Sequence, residues 1–326
     1  MSAAMTRIGI VTPVLDDWES LTTLIGALGT ALSGRDVIVD VLAVDDGSRQ
    51  RFDPGALHLP REGAIRRVEV LHLATNLGHQ RAIAVGLTEM AQRADIDHVL
   101  VMDSDGEDRP EEVARLLEAA RAHPGAVVLA QRAKRSESLG FRLAYRAYKL
   151  MFRVLTGRVI DFGNFSLLPI DAVRRLVHMP ELWNNLAASI LRSRVPFVAL
   201  PTERGRRYAG TSRMNLPALV LHGLSAMSVY TDVIFVRILA AAAGFAVLGV
   251  LVMVAVVALR LLTTLTTPGW ATTVVANLAV MLLQTLVIVI GAALMQLAGR
   301  STRQVVPAVD AGGYVAGRAE VGRDGG

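Results

Sequence analysis

The chain has 326 residues, 52% of them hydrophobic, with a net charge of +5 and no cysteine. The missing cysteine excludes disulfides, thiol catalysis and cysteine-ligated zinc. A mean hydropathy of +0.42 fits a globular domain joined to a membrane segment, and nucleic acid is not the partner that such a chain suggests.

Apolar runs at Ile8–Val11, Val37–Val44, Val68–Leu73, Val99–Met102 and Val127–Ala130 predict buried strands. Helical patterns fall between them at Glu19–Leu32, Gln80–Gln92 and Glu111–Ala122, the last opened by Pro110, a residue suited to a first helical turn. Strands alternating with helices predict an α/β fold with a mainly parallel sheet and helices on both faces. Ligands of such sheets bind beyond the carboxyl ends of the strands. The polar clusters Asp16–Asp17, Asp45–Asp46, Asn76 and Asp103–Asp105 fall at those ends. No signal peptide is recognisable, so the front of the chain is expected in the cytosol.

Between Gln131 and Ile160 eight basic residues face one acid, Glu137, and Arg192–Arg213 adds six more against Glu203. Within Gly140–Leu155, Arg142, Arg146, Lys149 and Arg153 form a basic stripe at helical spacing. Phe141, Tyr145, Tyr148 and Phe152 run beside it, a pattern suited either to a lipid headgroup boundary or to a surface helix packed on a core. Two charge-free stretches follow, Ile238–Leu259 and Ala271–Gly299, separated by a short loop with Pro268 and Gly269. At about 1.5 Å of rise per residue each spans a hydrocarbon core of about 30 Å, which predicts a transmembrane helical hairpin. Arg213 and Arg237 precede it and Arg300 and Arg303 follow it, so both termini are expected in the cytosol.

Asp103-Ser104-Asp105 directly follows an apolar run. Two carboxylates one residue apart at a strand end can converge on one hard divalent cation, Mg²⁺ or Mn²⁺, with Glu107 as a third oxygen ligand. Alone the pattern is weak, because turns and helix N-termini use the same residues. Asp45-Asp46-Gly47-Ser48 suits either a tight turn or a carboxylate that accepts hydrogen bonds from a nucleoside. Asn76-Leu77-Gly78-His79 is as ambiguous, with Asn as a helix cap and Gly allowing close approach.

Taken in order, Pro13-Val14-Leu15-Asp16-Asp17, Val44-Asp45-Asp46-Gly47-Ser48, Asn76-Leu77-Gly78 and Met102-Asp103-Ser104-Asp105 resemble the successive motifs of family-2 glycosyltransferases with the GT-A fold. Arg109-Pro110-Glu111, Asp161-Phe162-Gly163-Asn164-Phe165-Ser166-Leu167 and Arg207-Tyr208-Ala209-Gly210-Thr211-Ser212-Arg213 extend the resemblance over about residues 7–232. With two trailing spans it points to the polyprenyl-phosphate branch, which is similar to dolichyl-phosphate mannose synthase and bactoprenyl glucosyltransferases. Relatives usually carry Gln where Glu107 stands, Arg where Ser166 stands and Lys where Arg213 stands.

The resemblance implies transfer of one sugar from a nucleotide-diphosphate sugar to a polyprenyl phosphate at the cytosolic leaflet, dependent on Mg²⁺ or Mn²⁺ and inverting. Pro13, Asp17, Asp46, Asn76 and Asp103 would bind the nucleotide sugar, and Asp103, Asp105 and Glu107 the metal. Asp105 and Asp161 would be catalytic, and Arg132, Arg206, Arg207, Ser212 and Arg213 would hold the acceptor phosphate. The alternatives are a different lipid or glycan acceptor, or a catalytically silent nucleotide-binding membrane protein. The expected organisation is a cytosolic GT-A domain over 1–213, an interfacial segment over 214–234, transmembrane helices over 235–262 and 271–299, and an unstructured cytosolic tail over 300–326. The expected location is the inner membrane, multi-pass and in contact with membrane lipid, and a homo-oligomer is compatible with it.

Overall fold

The computed structural model describes residues 5–50, 52–53, 55, 63–132, 139–209, 223–263 and 269–321, and for 132, 139–145 and 300 the backbone only. The chain divides into two compact units.

The first unit holds 1–142, 160–229 and 305–326. Its strands are β1 (Thr6–Val14), β2 (Val37–Asp45), β3 (Ile65–Leu73), β4 (His98–Val101), β5 (Val127–Arg132), β6 (Ser166–Pro169), β7 (Phe197–Thr202) and β8 (Val315–Val321). They form one sheet in the order β7-β5-β6-β4-β1-β2-β3-β8. Only β6 and β8 run against the common direction. β2 shows why the central strands read as unbroken apolar runs. Val39, Val41 and Ala43 enter the core beneath α1 (Trp18–Ala31) and α3 (Pro110–Ala122), while Leu42 and Val44 enter the core beneath α2 (His79–Ala91), α5 (Ile170–Leu176) and α6 (Leu186–Ser193). A strand covered on both faces has no polar side to alternate with.

The predicted strands and helices match β1 to β5 and α1 to α3 closely. β6, β7 and β8 are new. The tail corrects the sequence reading: residues 307–321, expected to be unstructured, form α9 (Pro307–Asp310), a 3₁₀ turn (Ala311–Tyr314) and β8, which pairs antiparallel with β3 from Val68↔Val321 to Leu73↔Val315. Its sequence hid it, since the strand VAGRAEV mixes single small residues with Arg318 and Glu320, has no apolar run of its own and gains its order from a partner edge.

The second unit holds 143–159 and 230–304, so the domain expected over 1–213 is not continuous. It contains most of α4 (Leu139–Thr156) and the helices α7 (Thr231–Leu262) and α8 (Trp270–Ser301), each of 32 residues. At about 1.5 Å per residue each is about 48 Å long, more than the roughly 30 Å of a hydrocarbon core. Each runs beyond its predicted bounds, and both are long and apolar enough to cross a membrane. They pack closely at Gly249 of α7, where a Cβ would stand 3.1 Å from Leu282 Cδ2. In α4 the described aromatic residues pack while its aliphatic residues stay out. Phe152 is buried edge-to-face on Tyr230, whereas Leu150, Met151 and Val154 stay exposed. Arg237 donates to the carbonyls of Arg153 and Val154 at the end of α4, a cation where the helix dipole favours one.

Candidate active site

Parallel strands deliver their carboxyl ends to one edge, and the antiparallel β6 brings its amino end there. The segments after β1, β2, β3, β4 and β7 and the segment before β6 therefore share that edge.

Two loops are clasped first. Asp16, at φ 49°, accepts the Arg49 amide at 2.7 Å and donates its own amide to Ser48 Oγ at 2.9 Å. Asp17 caps α1, accepting the Ser20 amide. Asp45 accepts the Ser48 amide at 2.8 Å and pairs with His72 Nδ1 at 2.7 Å. Asp46 is buried and grips the next loop, accepting the Leu77 amide at 2.6 Å and the Gly78 amide at 2.9 Å. Burial pushes its pKa up, more than the two amides pull it down. Gly47 makes the approach feasible: its φ is +77°, and a Cβ there would lie 2.7 Å from the Asn76 nitrogen. Pro13 is buried, and its carbonyl accepts the Ser104 hydroxyl at 3.3 Å.

After β4 the chain turns through Asp103–Asp108. Asp103 Oδ1 lies 3.3 Å from His79 Nε2, and the Asp103 amide donates to buried Asp108 at 3.0 Å. His79 also meets Asn164 at 3.0 Å, and Asn164 accepts from Gln80 at 3.0 Å. This chain of polar contacts ties the segment carrying Asp161, which is exposed, to the strand end carrying Asp103.

The segment after β7 zips onto the acidic turn. Gly205 and Tyr208 donate their amides to the carbonyls of Glu107 and Asp105, each at 2.9 Å. Arg207 hydrogen-bonds Asp105 and lies 3.6 Å from Glu107, while Arg204 hydrogen-bonds Glu107. Gly106 (φ +86°) leaves room for the Tyr208 ring. Burial costs the Arg207 guanidinium, but Asp105, Glu107 and Asp17 outweigh that cost and its pKa stays raised. Burial, with Glu111 and Asp105, also raises the Tyr208 hydroxyl.

Of the residues singled out in the sequence, Pro13, Asp17, Asp46, Asn76, Asp103, Asp105, Glu107, Asp161, Arg206 and Arg207 all lie on segments of this edge. Arg132 ends β5 on the same edge, with only its backbone described, and Ser212 and Arg213 lie outside the described residues. Among the described residues no three of His, Asp and Glu cluster as a metal site. Glu107 instead engages Arg204 and Arg207. The donor set of Asp103 and Asp105, hard carboxylate oxygens one residue apart, fits a small divalent cation that keeps its remaining positions for water and phosphate. The missing Arg at Ser166 has a structural counterpart: Ser166 is fully buried in β6, its hydroxyl on the Asn164 carbonyl. His72, His79, Gln80, Asn164 and Arg204 were not singled out as site residues. His79 and Gln80 follow Asn76-Leu77-Gly78 directly, and that adjacency was the available signal.

The model of glycosyl transferase family 2 matches residues 10–175. Undecaprenyl-phosphate 4-deoxy-4-formamido-L-arabinose transferase of Salmonella choleraesuis (strain SC-B67) is 26% identical over 67% of this chain and 66% of its own length. The enzyme of the same name from Sodalis glossinidius (strain morsitans) is 28% identical over 66% and 64%. The chain thus spans slightly less than two thirds of these curated relatives. Glucosyl-3-phosphoglycerate synthase from Mycobacterium tuberculosis, solved with Mn²⁺ and UDP, overlays with a TM-score of 0.49 at 12% identity over 70% of this chain and 80% of that one, too loose a likeness to transfer any residue.

Proposed function

Because the chain belongs to glycosyl transferase family 2, we propose that it transfers one sugar from a nucleotide-diphosphate sugar to a polyprenyl phosphate at the cytosolic face of a membrane. One observation carries the reading: carboxylates from the ends of β1, β2 and β4 and arginines after β7 share one sheet edge, in a chain that also has two membrane-length apolar helices. The relatives named for undecaprenyl phosphate support that acceptor class.

Asp17, Asp46 and Asn76, with Pro13, shape the nucleoside end of the donor site, and Asp103 and Asp105 face its diphosphate. Mg²⁺ or Mn²⁺ held by Asp103 and Asp105 would neutralise charge on the departing nucleoside diphosphate. The acceptor phosphate has a second pKa near about 6, so at neutral pH its oxygen attacks without a strong base and needs positioning. One phosphate oxygen bonds to the anomeric carbon as the bond to the diphosphate breaks on the opposite side, which inverts the centre. Arg206 and Arg207, with Arg132, Ser212 and Arg213, suit the acceptor phosphate because guanidinium forks match phosphate geometry. Arg207 already sits against Asp105, so it can pass between carboxylate and phosphate without a large movement. Asp161 lies on the segment nearest in sequence to Asn164 and supplies an acidic group beside the reacting carbon.

Membranes containing the protein, incubated with Mg²⁺, polyprenyl phosphate and radiolabelled UDP- and GDP-sugars, test this by lipid extraction. The expected product is a labelled lipid that mild acid hydrolyses, reduced about a hundredfold or more in Asp105→Ala. Label in an acid-stable lipid moves the acceptor to another class. Metal-dependent nucleotide binding with no labelled product overturns the transferase reading in favour of a silent binding protein.

A further inference from the structure

The tail returns from α8 to the first unit and contacts three successive parts of one supersecondary unit. β8 pairs with β3 along its length. One residue past β3, the Ala74 amide donates to the Tyr314 carbonyl at 2.8 Å, at the start of the turn Ala74–Gly78. The Tyr314 ring lies tilted by 38° against Trp183, centroids 5.1 Å apart, and the Arg81 guanidinium of α2 lies 5.9 Å from the same indole. Arg318 donates to Glu69 of β3 at 3.1 Å and to Glu89 of α2 at 2.5 Å. The tail is anchored as well: Ala311 is 1% exposed, and the Ala308 amide donates to the Val177 carbonyl at 2.9 Å.

That turn carries Asn76 and the two amides held by Asp46, and its backbone abuts Gly47. Asp46 thus fixes the turn from the site side, and the tail fixes its other flank together with both arms that enter and leave it. We propose that the tail, 306–321, is a positioning strap for the Ala74–Gly78 turn. The Tyr314 carbonyl holds the turn's first amide, and the Tyr314 ring, through Trp183 beside Arg81 of α2, keeps that carbonyl in place without touching the donor. The inference rests on the proposed donor site, and it concerns residues beyond the 10–175 that the family model matches. The physical ground is that backbone groups facing a substrate act only when held to a fraction of an ångström, and a turn at the exposed end of a strand needs a second support to stay there.

Full-length Tyr314→Ala and Tyr314→Phe separate this role from plain stability. Hydrogen exchange is measured on peptides covering 70–80 and on β1 and β4, and KM and kcat are measured with the nucleotide sugar. In Tyr314→Ala exchange at 74–78 rises at least about fivefold while β1 and β4 stay protected. The donor KM rises several-fold with kcat retained, and Tyr314→Phe, which keeps the ring, restores both. Unchanged exchange and KM in Tyr314→Ala overturn the strap. A uniform rise in exchange across the sheet with KM unchanged also overturns it, since the tail would then only stabilise the fold. If the wild-type chain turns over no nucleotide sugar, the donor-site reading fails, and the exchange measurement alone still decides whether the tail holds the turn.

Discussion

Asp46 and Gly47 show how one residue's character is settled by what approaches it. Asp-Gly reads as a turn in any sequence. Here the carboxylate leaves solvent to hold the Leu77 and Gly78 amides, and the glycine lets the Asn76 backbone close on it. The raised pKa of Asp46 has a definite sign. Between its unfolded value and its higher folded value the native state binds more protons than the unfolded state, so this group's contribution to stability falls as pH rises through that window. At neutral pH its charge is a net cost to folding. Asp46→Asn is therefore expected to keep or raise the melting temperature at neutral pH, with the difference from wild type shrinking as pH falls through the folded value. Melting curves over the acid range check it, and a lower melting temperature at neutral pH would show that the amide contacts outweigh burial. Asp17 and Asp105 belong to the same class of residue. Their types were legible as site candidates, but the cap on α1 and the ion pair with Arg207 required neighbours from other segments.

Among the elements, β1 to β5 and α1 to α3 were readable because each carries its own periodicity and is buried on a predictable side. β6 is four residues ending in Pro169, β7 includes Pro201, and β8 has no run of two large apolar residues, so none carries enough pattern to stand out. Their strand character comes from pairing with β4, β5 and β3. The apolar hairpin was readable from length alone, its internal contact was not. At Gly249 the two helices approach as small residues allow. Gly249→Leu is expected to cost roughly 1–3 kcal/mol by overpacking against Leu282, read as a lower midpoint of SDS-driven unfolding in mixed micelles. Gly249→Ala, which needs only a small shift of the Leu282 side chain, should stay close to wild type. An unchanged midpoint for the leucine variant would mean that the helices do not rely on this contact.

For the whole molecule, the division into a sheet-bearing unit and a unit of α4 with the hairpin cuts across the sequence twice. Residues 143–159 leave the domain that surrounds them in sequence, and residues 305–326 rejoin it. A chain held by two helices of this length and apolarity is expected to remain in the membrane pellet after an alkaline carbonate wash, and to float with liposomes after reconstitution. Release into the carbonate supernatant would show that neither helix spans the bilayer.

Local physics was already decisive in the amino-acid order: strand and helix periods, the apolar lengths that suit a bilayer, and the acidic clusters that end successive strands. Each depends on residues close together along the chain, where spacing alone dictates which side is buried. The partners of those clusters were not readable. Arg207 reaches Asp105 across 102 positions, and Arg318 reaches Glu69 across 249. Such meetings depend on strand order, on which strands run against the rest and on where backbone can come close. These are outcomes of packing the whole chain, and no window of neighbouring residues contains them.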